Sequence, residues 1–538
     1  MPIVNKVKFN SLIGHLQKHK KPLDTAGKNN SAFLQSLKMV PVSILLTAYA
    51  NADTMPSENR FEQVSDSMHQ NAFIRDLPPK DEKTTIQANV ETILDNEALK
   101  QQPLLLHYLF EQSLNTEDPH LIASLKSAYE TLPEKNPILL QRAEGFLKKN
   151  AGHYRQAVNI YQRLNQSHPQ DERIALDTAA VLFEDKQWTE ADMLFAQTAL
   201  SDDLPEAVRH NIRRYRDKIR EHNTWQFNGS LSMSRNGNIN DAAPAYCSPI
   251  GCQPSQKESG TGINYGLNIE KNTPLSGHHN LYFRSYTGGT SYYFDKKSQY
   301  DHTLHRSHLG WQYQNARNTL NILPFYQAQL AGSDEFESKP KNNHRLIPNM
   351  LAHALGVQIT GTHRLPQNKG QIQINAESYR QHYRPKEKQP LYDGNHYSLS
   401  LSLAKPAGRH HLLFIGLGSN WFLPRQPQLN GRSNHTAYTR SFIHTGWLAE
   451  WPSLAGLQSR LSAQYGQRRY KGQALDTDFF YRTQKNYETV FSASISHPKL
   501  SYRGLTPKLT WEARKTRSTH KWAERSQQQL FVEIEKNF

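Results

Sequence analysis

The chain has 538 residues, a formal net charge of +16 and a mean hydropathy of -0.75, with 37% hydrophobic residues. This length fits two or three domains, and the sequence contains no run of about 18 to 20 apolar residues that would indicate membrane-spanning helices. The basic residues are scattered rather than gathered in a tract, so their number does not indicate nucleic-acid binding.

Residues 39–52 are typical of the end of a secretory signal. A short apolar run is followed by the small residues of Ala48-Tyr49-Ala50 or Ala50-Asn51-Ala52, where a signal peptidase cuts. About 38 residues precede that run, so either the leader is extended or the true start lies downstream of Met1. We predict a signal peptide or extended leader over 1–52 and a polar linker over 53–95; a short buried helix is the alternative for the apolar run.

Residues 96–221 are predicted to form a helical repeat domain. Tyr154, Ala157 and Tyr161 reappear 34 residues later as Trp188, Ala191 and Phe195. A period of 34 is that of the tetratricopeptide (TPR) repeat, in which small residues let paired helices approach and aromatic residues fill the gap between repeats. An earlier unit around Leu104 to Pro133, with Ala123 at the same offset, and a capping helix over 204–221 complete the prediction. The predicted core residues are Gly145, Tyr154, Ala157, Tyr161, Pro169, Ala179, Trp188, Ala191 and Phe195.

The first helix of each repeat lines the groove of such an array. On this alignment the groove could hold a partner, and an ordinary solvated face is the competing interpretation. The residues predicted to face the groove are Arg142, Phe146, Lys149, Asn150, Arg173 and Phe183.

Residues 222–538 are predicted to form a transmembrane antiparallel β-barrel of about fourteen strands. In Tyr397–Leu403, serine alternates with an apolar residue, which gives a strand one apolar and one polar face. Similar stretches of about ten residues follow one another, as in outer-membrane barrels, although a soluble all-β domain would also alternate. The approximate strand centres are residues 229, 265, 284, 307, 324, 356, 376, 400, 415, 442, 462, 491, 509 and 533.

The predicted connections alternate in length. Short turns follow the even-numbered strands, as outer-membrane barrels have on the periplasmic side, and an even strand count returns both chain ends to the periplasm. The predicted long loops are 235–259, 331–345, 384–394, 423–434, 471–484 and 516–526. Cys247 and Cys252 lie in the first of these, and a local disulfide is expected in an exported protein.

The chain ends on Phe538, on the same strand face as Leu530, Val532 and Ile534. A terminal aromatic in such a strand is similar to the signal by which the barrel assembly machinery recognises its substrates. We therefore expect these four residues to serve in membrane insertion.

No catalytic or metal-binding motif stands out. His302, His305 and His308 do not share one strand face, because side chains alternate, and His278-His279 and His410-His411 diverge in the same way. Gly-x-Ser-x-Gly, His-Glu-x-x-His and phosphate-loop motifs are missing from the sequence. We expect no enzyme, cofactor or metal site.

A signal, a short TPR array and a barrel of about fourteen strands ending in phenylalanine together resemble the Slam family of surface lipoprotein assembly modulators. The resemblance implies an outer-membrane translocon that delivers a client, a surface lipoprotein or a secreted haem- or iron-acquisition protein, with the periplasmic repeats engaging it. It also implies contact with outer-membrane lipids and the barrel assembly machinery. An exopolysaccharide export porin, or a passive porin or receptor with an adaptor domain, are the alternatives.

Overall fold

The computed structural model describes residues 99–332, 349–366 and 369–537. The predicted leader (1–52), the predicted linker (53–95) and the terminal Phe538 lie outside the described residues. Among the described residues, no helix combines the length and apolar character needed to cross a membrane.

Seven helices form the N-terminal part of the described chain. Pro119 and Pro137 each open a helix, at the position where a missing N–H costs no hydrogen bond. The side chains of Asp118, Asn136 and Asp171 accept hydrogen bonds from the next helix's free N–H groups. The helices are α1 (Pro103–Thr116), α2 (Pro119–Tyr129), α3 (Pro137–Asn150), α4 (Tyr154–Ser167), α5 (Glu172–Glu184), α6 (Trp188–Thr198) and α7 (Glu206–Asn223).

The helices pack as antiparallel pairs around two apolar clusters. Tyr161 and Phe195 belong to the cluster formed by α4 to α7, and Phe110 and Tyr129 to the cluster formed by α1 to α3. The first pair, α1 and α2, occupies the place of the predicted earlier repeat. Its small residue was predicted wrongly: Ala123 is exposed, because α2 turns Ile122, Leu125 and Ala128 to the core instead.

Fourteen antiparallel strands close into a barrel, each pairing with its neighbour in sequence and the first with the last. The predicted fold class and strand number are confirmed. The strands are β1 (Gln226–Asn236), β2 (Gly260–Ser276), β3 (His279–Ser291), β4 (His302–Gln314), β5 (Asn318–Ala331), β6 (Asn349–Arg364), β7 (Gln371–Tyr383), β8 (Gly394–Pro406), β9 (His411–Pro424), β10 (Tyr438–Trp451), β11 (Leu457–Leu475), β12 (Tyr481–Ser496), β13 (Leu505–Ser518) and β14 (Arg525–Asn537).

The alternation of the sequence decides which side of the barrel each residue takes. Leu399 and Leu401 are 50% and 43% exposed, whereas Ser402 is buried on the inner face. The same apolar belt continues on β9, where Leu417 is 60% exposed. A closed sheet satisfies its own backbone hydrogen bonds, which lets such a belt face lipid.

Two of the predicted loop boundaries were wrong. The loop expected over 471–484 covers only 476–480, and the loop expected over 516–526 covers only 519–524. The strands on either side are longer than their apolar segments. Beyond the belt the outward residues of β11 are polar, so hydropathy does not mark where the strand ends. The strands therefore project past the apolar belt at the end of the barrel that carries the long loops.

Candidate functional site

The helical domain docks against the short turns of the barrel. The buried carboxylate of Asp185, between α5 and α6, accepts a hydrogen bond from Nε2 of His278 at 2.8 Å and faces the Ala316 N–H at 3.4 Å. Glu190 of α6 accepts a bond from the Gly277 N–H at 2.7 Å. We call this set of contacts the domain interface; it joins two turns of the barrel to the second repeat.

A glycine and an arginine form a further part of the domain interface. The Arg317 guanidinium donates to the carbonyl oxygen of Ala151 at 3.1 Å. It passes so close to Gly152 that a Cβ there would lie 1.6 Å from Nη2, and Gly152 has a φ of +78°. A side chain at this position would therefore displace the arginine and strain the backbone.

The C-terminal end of α7 packs beside β2. Lys271 donates to the carbonyl oxygen of Asn223 at 2.6 Å. The His222 ring stacks on Trp188 with centroids 4.5 Å apart, and the Asn272 side chain reaches it at 3.3 Å. Burial lowers the pKa of His222, so the neutral ring is favoured here.

The predicted repeat-core residues come together in the helical domain, except for two at its margin. A Cβ on Gly145 would lie 2.7 Å from the Tyr161 ring, so the glycine makes room for that aromatic. Tyr154 is only partly buried and Pro169 is exposed in the connection between α4 and α5. The fully packed members are Gly145, Ala157, Tyr161, Ala179, Trp188, Ala191 and Phe195.

The six predicted groove residues do not share one accessible surface. Arg142 and Phe146 are buried, and Phe183 packs edge-on against Trp188 and Tyr215, so these three serve packing. Helical periodicity places a residue on the groove side, but it does not reveal how deeply the neighbouring repeat covers it. Asn150 is exposed, and the Arg173 side chain is 47% exposed.

Ion pairs hold the first helices of successive repeats together. Arg142 contacts Asp177 at 2.9 Å, and Lys149 contacts Glu184 at 3.0 Å. Burial by itself would lower the pKa of Lys149, but Glu184 and then Glu117 outweigh it and hold this pKa above its ordinary value. These lysine and arginine side chains are therefore committed to repeat packing.

Lys186, in the connection between α5 and α6, is held differently. Its ammonium group lies 4.8 Å from the centre of the Trp188 ring. Burial, and then the nearby charge of Arg364, lower the pKa of Lys186 to about 8. The domain interface thus contains an amine that changes charge close to neutral pH.

The inner wall of the barrel carries buried ion pairs. Arg306 of β4 contacts Glu377 of β7 at 2.8 Å, with side chains 1% and 3% exposed, and the Arg306 Nε also donates to Gln327. On the other side, Glu488 accepts from both Arg440 and Arg468. Each pair is hydrogen-bonded, as a buried charge must be.

A continuous series of aromatic rings follows the same wall from β4 to β11. Neighbouring ring centroids lie between 4.5 and 6.0 Å apart along His308, Phe325, Tyr379, His396, Phe422, Tyr438 and Tyr470. We call this the aromatic arc. Gly356 on β6 accommodates it, because a Cβ there would lie 2.8 Å from the Phe325 ring.

Two long loops cover the barrel opening above the arc. A short helix, Gln389–Tyr392, places Tyr392 against Tyr383 and other buried residues of the inner wall. The Asn434 side chain donates to the Pro390 carbonyl at 3.1 Å, and Thr436 donates to the Leu391 carbonyl at 2.6 Å. In this conformation the two loops are bonded to each other at this end of the barrel.

Cys247 and Cys252 are joined by a disulfide in a small hairpin of the first long loop. Tyr246 beside it packs against Trp522 and Ala523 of the last long loop. The hairpin therefore anchors the first loop over the end of the barrel where the chain closes on itself.

The predicted insertion residues Leu530, Val532 and Ile534 all lie on the outer face of β14, with exposures of 60%, 51% and 44%. Among the described residues, no three or more His, Cys, Asp or Glu side chains are arranged to hold a metal ion. His305 is bound instead to Thr287 at 2.8 Å.

The chain matches one protein family over both of its parts. Residues 225–538 match the family described as "Surface lipoprotein assembly modifier", and residues 92–195 match its "N-terminal TPR repeats". A "Surface lipoprotein assembly modifier 2" of Neisseria meningitidis is 40% identical over 84% of this chain and 90% of the relative. The chain belongs to this family.

Other members are more distant. A "Surface lipoprotein assembly modifier" of Pasteurella multocida is 26% identical over 91% of this chain and 94% of the relative. A "Hemophilin secretion modulator" of Acinetobacter baumannii is 21% identical over 71% of this chain and 75% of the relative. The predicted family is confirmed, and its name describes the assembly of surface lipoproteins.

Membership also gives the two ends of the barrel their location. This is an outer-membrane barrel whose short turns, together with the helical domain, face the periplasm. Its long loops lie at the cell surface.

Proposed function

We propose that the protein is an outer-membrane translocon that delivers client proteins, surface lipoproteins or secreted haem- or iron-acquisition proteins, across the outer membrane. The observation that carries the proposal is the direct docking of a TPR domain on the periplasmic turns of a closed barrel in a chain of this family. TPR arrays bind other proteins along their grooves. A client held there would lie beside the barrel entrance.

The client passes as an extended chain. A barrel of about fourteen strands falls between the filled eight-stranded barrels and the sixteen-stranded porins with open channels. The aromatic arc and the loop containing Tyr392 occupy part of that lumen, which favours passage of an extended chain over that of a folded domain. Client export therefore requires loop movement and an unfolded client segment.

Asn150 and Arg173 are the groove positions that we propose contact the client, because their side chains remain accessible. Leu104 and Tyr108 of α1, 89% and 58% exposed, are the apolar positions that we propose for further client contact. The proposed functional division is a removed leader over 1–52, a linker over 53–95, a client-binding domain over 96–221 and a barrel over 222–538.

The barrel assembly machinery and outer-membrane lipids are the other proposed partners. The outer face of β14 carries Leu530, Val532 and Ile534, the residues that we propose act with Phe538 in recognition for insertion. The apolar belt represented by Leu401 and Leu417 would face the lipid. No catalytic step is part of the proposal.

Surface proteolysis of intact cells tests the proposal. Cells with and without this protein are treated with protease, and the released peptides are identified by mass spectrometry. We expect one or a few lipoproteins or secreted proteins to disappear from the outside while remaining in the cell. An unchanged set of surface proteins with reduced exopolysaccharide would overturn the proposal in favour of sugar export.

Charge reversal tests the client-binding surface. Arg173→Glu is expected to lower client display severalfold, because the exposed groove side of α5 changes sign. Arg163→Glu, at an exposed position on α4, is the matched control and should leave display within twofold. Equal loss in both variants would contradict the assignment of the groove.

A further inference from the structure

Among the described residues, the contact between β1 and β14 is the shortest strand pairing in the barrel. Seven residue pairs join these strands, from Asn228 with Asn537 to Ser234 with Phe531. Every other neighbouring pair in the barrel is joined by 11 to 15 residue pairs. We call the β1–β14 contact the seam.

The seam ends before it reaches the cell-surface rim. Residues 525–530 of β14 pair with β13, but they have no pairing with β1, which ends at Asn236. The described backbone bonds of the first loop do not replace the missing ladder. Leu530, at the start of this unpaired stretch, is 60% exposed and lies directly above the lipid-facing Val532. The unpaired stretch therefore begins at the outer margin of the apolar belt.

On the β1 side of the seam, the inner face is lined by small side chains. Ser230, Ser232 and Ser234 of β1 alternate inward, and Gly266 of β2 lies beside Ser230. The aromatic arc occupies the strands from β4 to β11 instead. The arc thus lies away from the seam, where Phe531 and Glu533 of β14 lie opposite Ser234 and Ser232, and Glu533 pairs with Lys508 of β13.

Backbone pairing is what keeps a membrane barrel closed, because an unpaired N–H or C=O has no partner in lipid. Separating β1 from β14 breaks fewer residue pairs than separating any other two neighbouring strands of the described barrel. At the surface end of the seam, residues 525–530 of β14 already have no pairing with β1. On its outer face, Gly229 has no side chain and no neighbour within 4 Å of a Cβ position. Opening of the seam at its surface end would connect the lumen directly to the outer leaflet.

We propose that the seam is the exit through which the acyl chains of a lipid-modified client pass from the barrel lumen into the outer leaflet. This rests on the proposed function, in which the client is a lipoprotein. Acyl chains are apolar, whereas the inner wall beside the seam and the loops at the mouth are polar. A lateral path therefore brings the acyl chains into lipid without contact with the polar loops. The polypeptide itself leaves through the mouth of the barrel.

A reversible lock tests the exit. Met233→Cys with Val532→Cys places two cysteines at directly opposite positions across the seam. Leu401→Cys with Leu417→Cys does the same between β8 and β9 and is the matched control. Oxidant is added only after the barrel has assembled, and linked peptides are identified by mass spectrometry. The native cysteines are already paired with each other.

Two cargoes are followed in each strain: a lipoprotein found by surface proteolysis, and the same protein with its acylated cysteine replaced by serine. We expect the seam lock to reduce surface delivery of the acylated form at least tenfold and to leave export of the unacylated form within twofold. Reductant should restore delivery, and the β8–β9 lock should affect neither cargo.

Normal delivery of the acylated cargo through a locked seam would overturn the proposal. Equal loss of both cargoes would also overturn it, because the seam would then serve the polypeptide. If the unmodified protein delivers neither cargo, the proposed function itself fails, and this outcome is visible before any lock is formed.

Discussion

Removing the carboxylate of Asp185 should loosen the helical domain from the barrel. Its two oxygens accept bonds from His278 and Gln187 at 2.8 and 3.1 Å and face the Ala316 N–H at 3.4 Å. Asp185→Ala deletes all three and leaves the partly buried His278 without this partner. A lost bond to a buried charged group costs about 1–3 kcal/mol, so the docking equilibrium should shift by roughly 5- to 150-fold.

Distances between two spin labels measure the docking of the helical domain on the barrel in the full-length protein. Met193 on α6 is 60% exposed and Leu454 in a periplasmic turn is 55% exposed, so cysteines there accept labels without disturbing the core. The native cysteines are in a disulfide and do not react. We expect one narrow distance distribution in the parent protein and a second, broader population in Asp185→Ala.

Asp217→Ala is the control. Asp217 pairs with Arg220 on the exposed side of α7, where such a pair contributes about 0–1 kcal/mol. Its distribution should match that of the parent. An unchanged distribution in Asp185→Ala would refute the reasoning, because the domain would then be held without this carboxylate.

Three further predictions concern packing and charge. Gly145→Ala should lower the free energy of unfolding by about 1–3 kcal/mol, because the added methyl group clashes with Tyr161. The same change should cost nothing in a Tyr161→Leu background. Thermal unfolding followed by the helical circular dichroism signal measures both effects. The pKa of Lys186 is lowered to about 8 in the folded protein, so above pH 8 the unfolded chain binds more protons than the folded chain. The free energy of unfolding should therefore rise by about 2 kcal/mol from pH 8 to pH 10. Urea titrations should show this rise in the parent protein and a flatter dependence on pH in Lys186→Gln. Glu377→Gln should lower the free energy of unfolding of the barrel by about 3–5 kcal/mol in denaturant titrations, because the buried charge of Arg306 loses its carboxylate partner. The double change Arg306→Met with Glu377→Leu should lower it by less, because no charge is then left buried.

The outer face of the barrel could be predicted from the sequence because one physical requirement governs it. Lipid contact selects an apolar residue at every second position, so the alternation around Leu401 marks a strand without knowledge of its neighbours. The 34-residue period likewise predicts the helical repeats without knowledge of distant residues, since each repeat packs only against its neighbours. Both patterns are local in the chain.

The inner face could not be predicted in this way. Arg306 and Glu377 are 71 residues apart, and Asp185 and His278 are 93 residues apart, so no local pattern pairs them. The burial of Arg142 could not be predicted for a related reason: its partner Asp177 comes from the next repeat. Which polar residue is buried depends on the three-dimensional arrangement of distant strands and helices.

These two kinds of constraint explain why the barrel is asymmetric. Lipid surrounds the whole outer face, so the apolar belt is similar on every strand and carries no direction. The inner face is free of that requirement: its ion pairs, such as that of Arg306, occur on several sides, whereas the aromatic arc, represented by Phe422, follows only the strands from β4 to β11. Such a wall is costly to rearrange, because each buried charge would lose its partner. Movement during transport is therefore expected where the contacts are few, at the surface loops held by Asn434 and Thr436 and at the seam between the first and last strands.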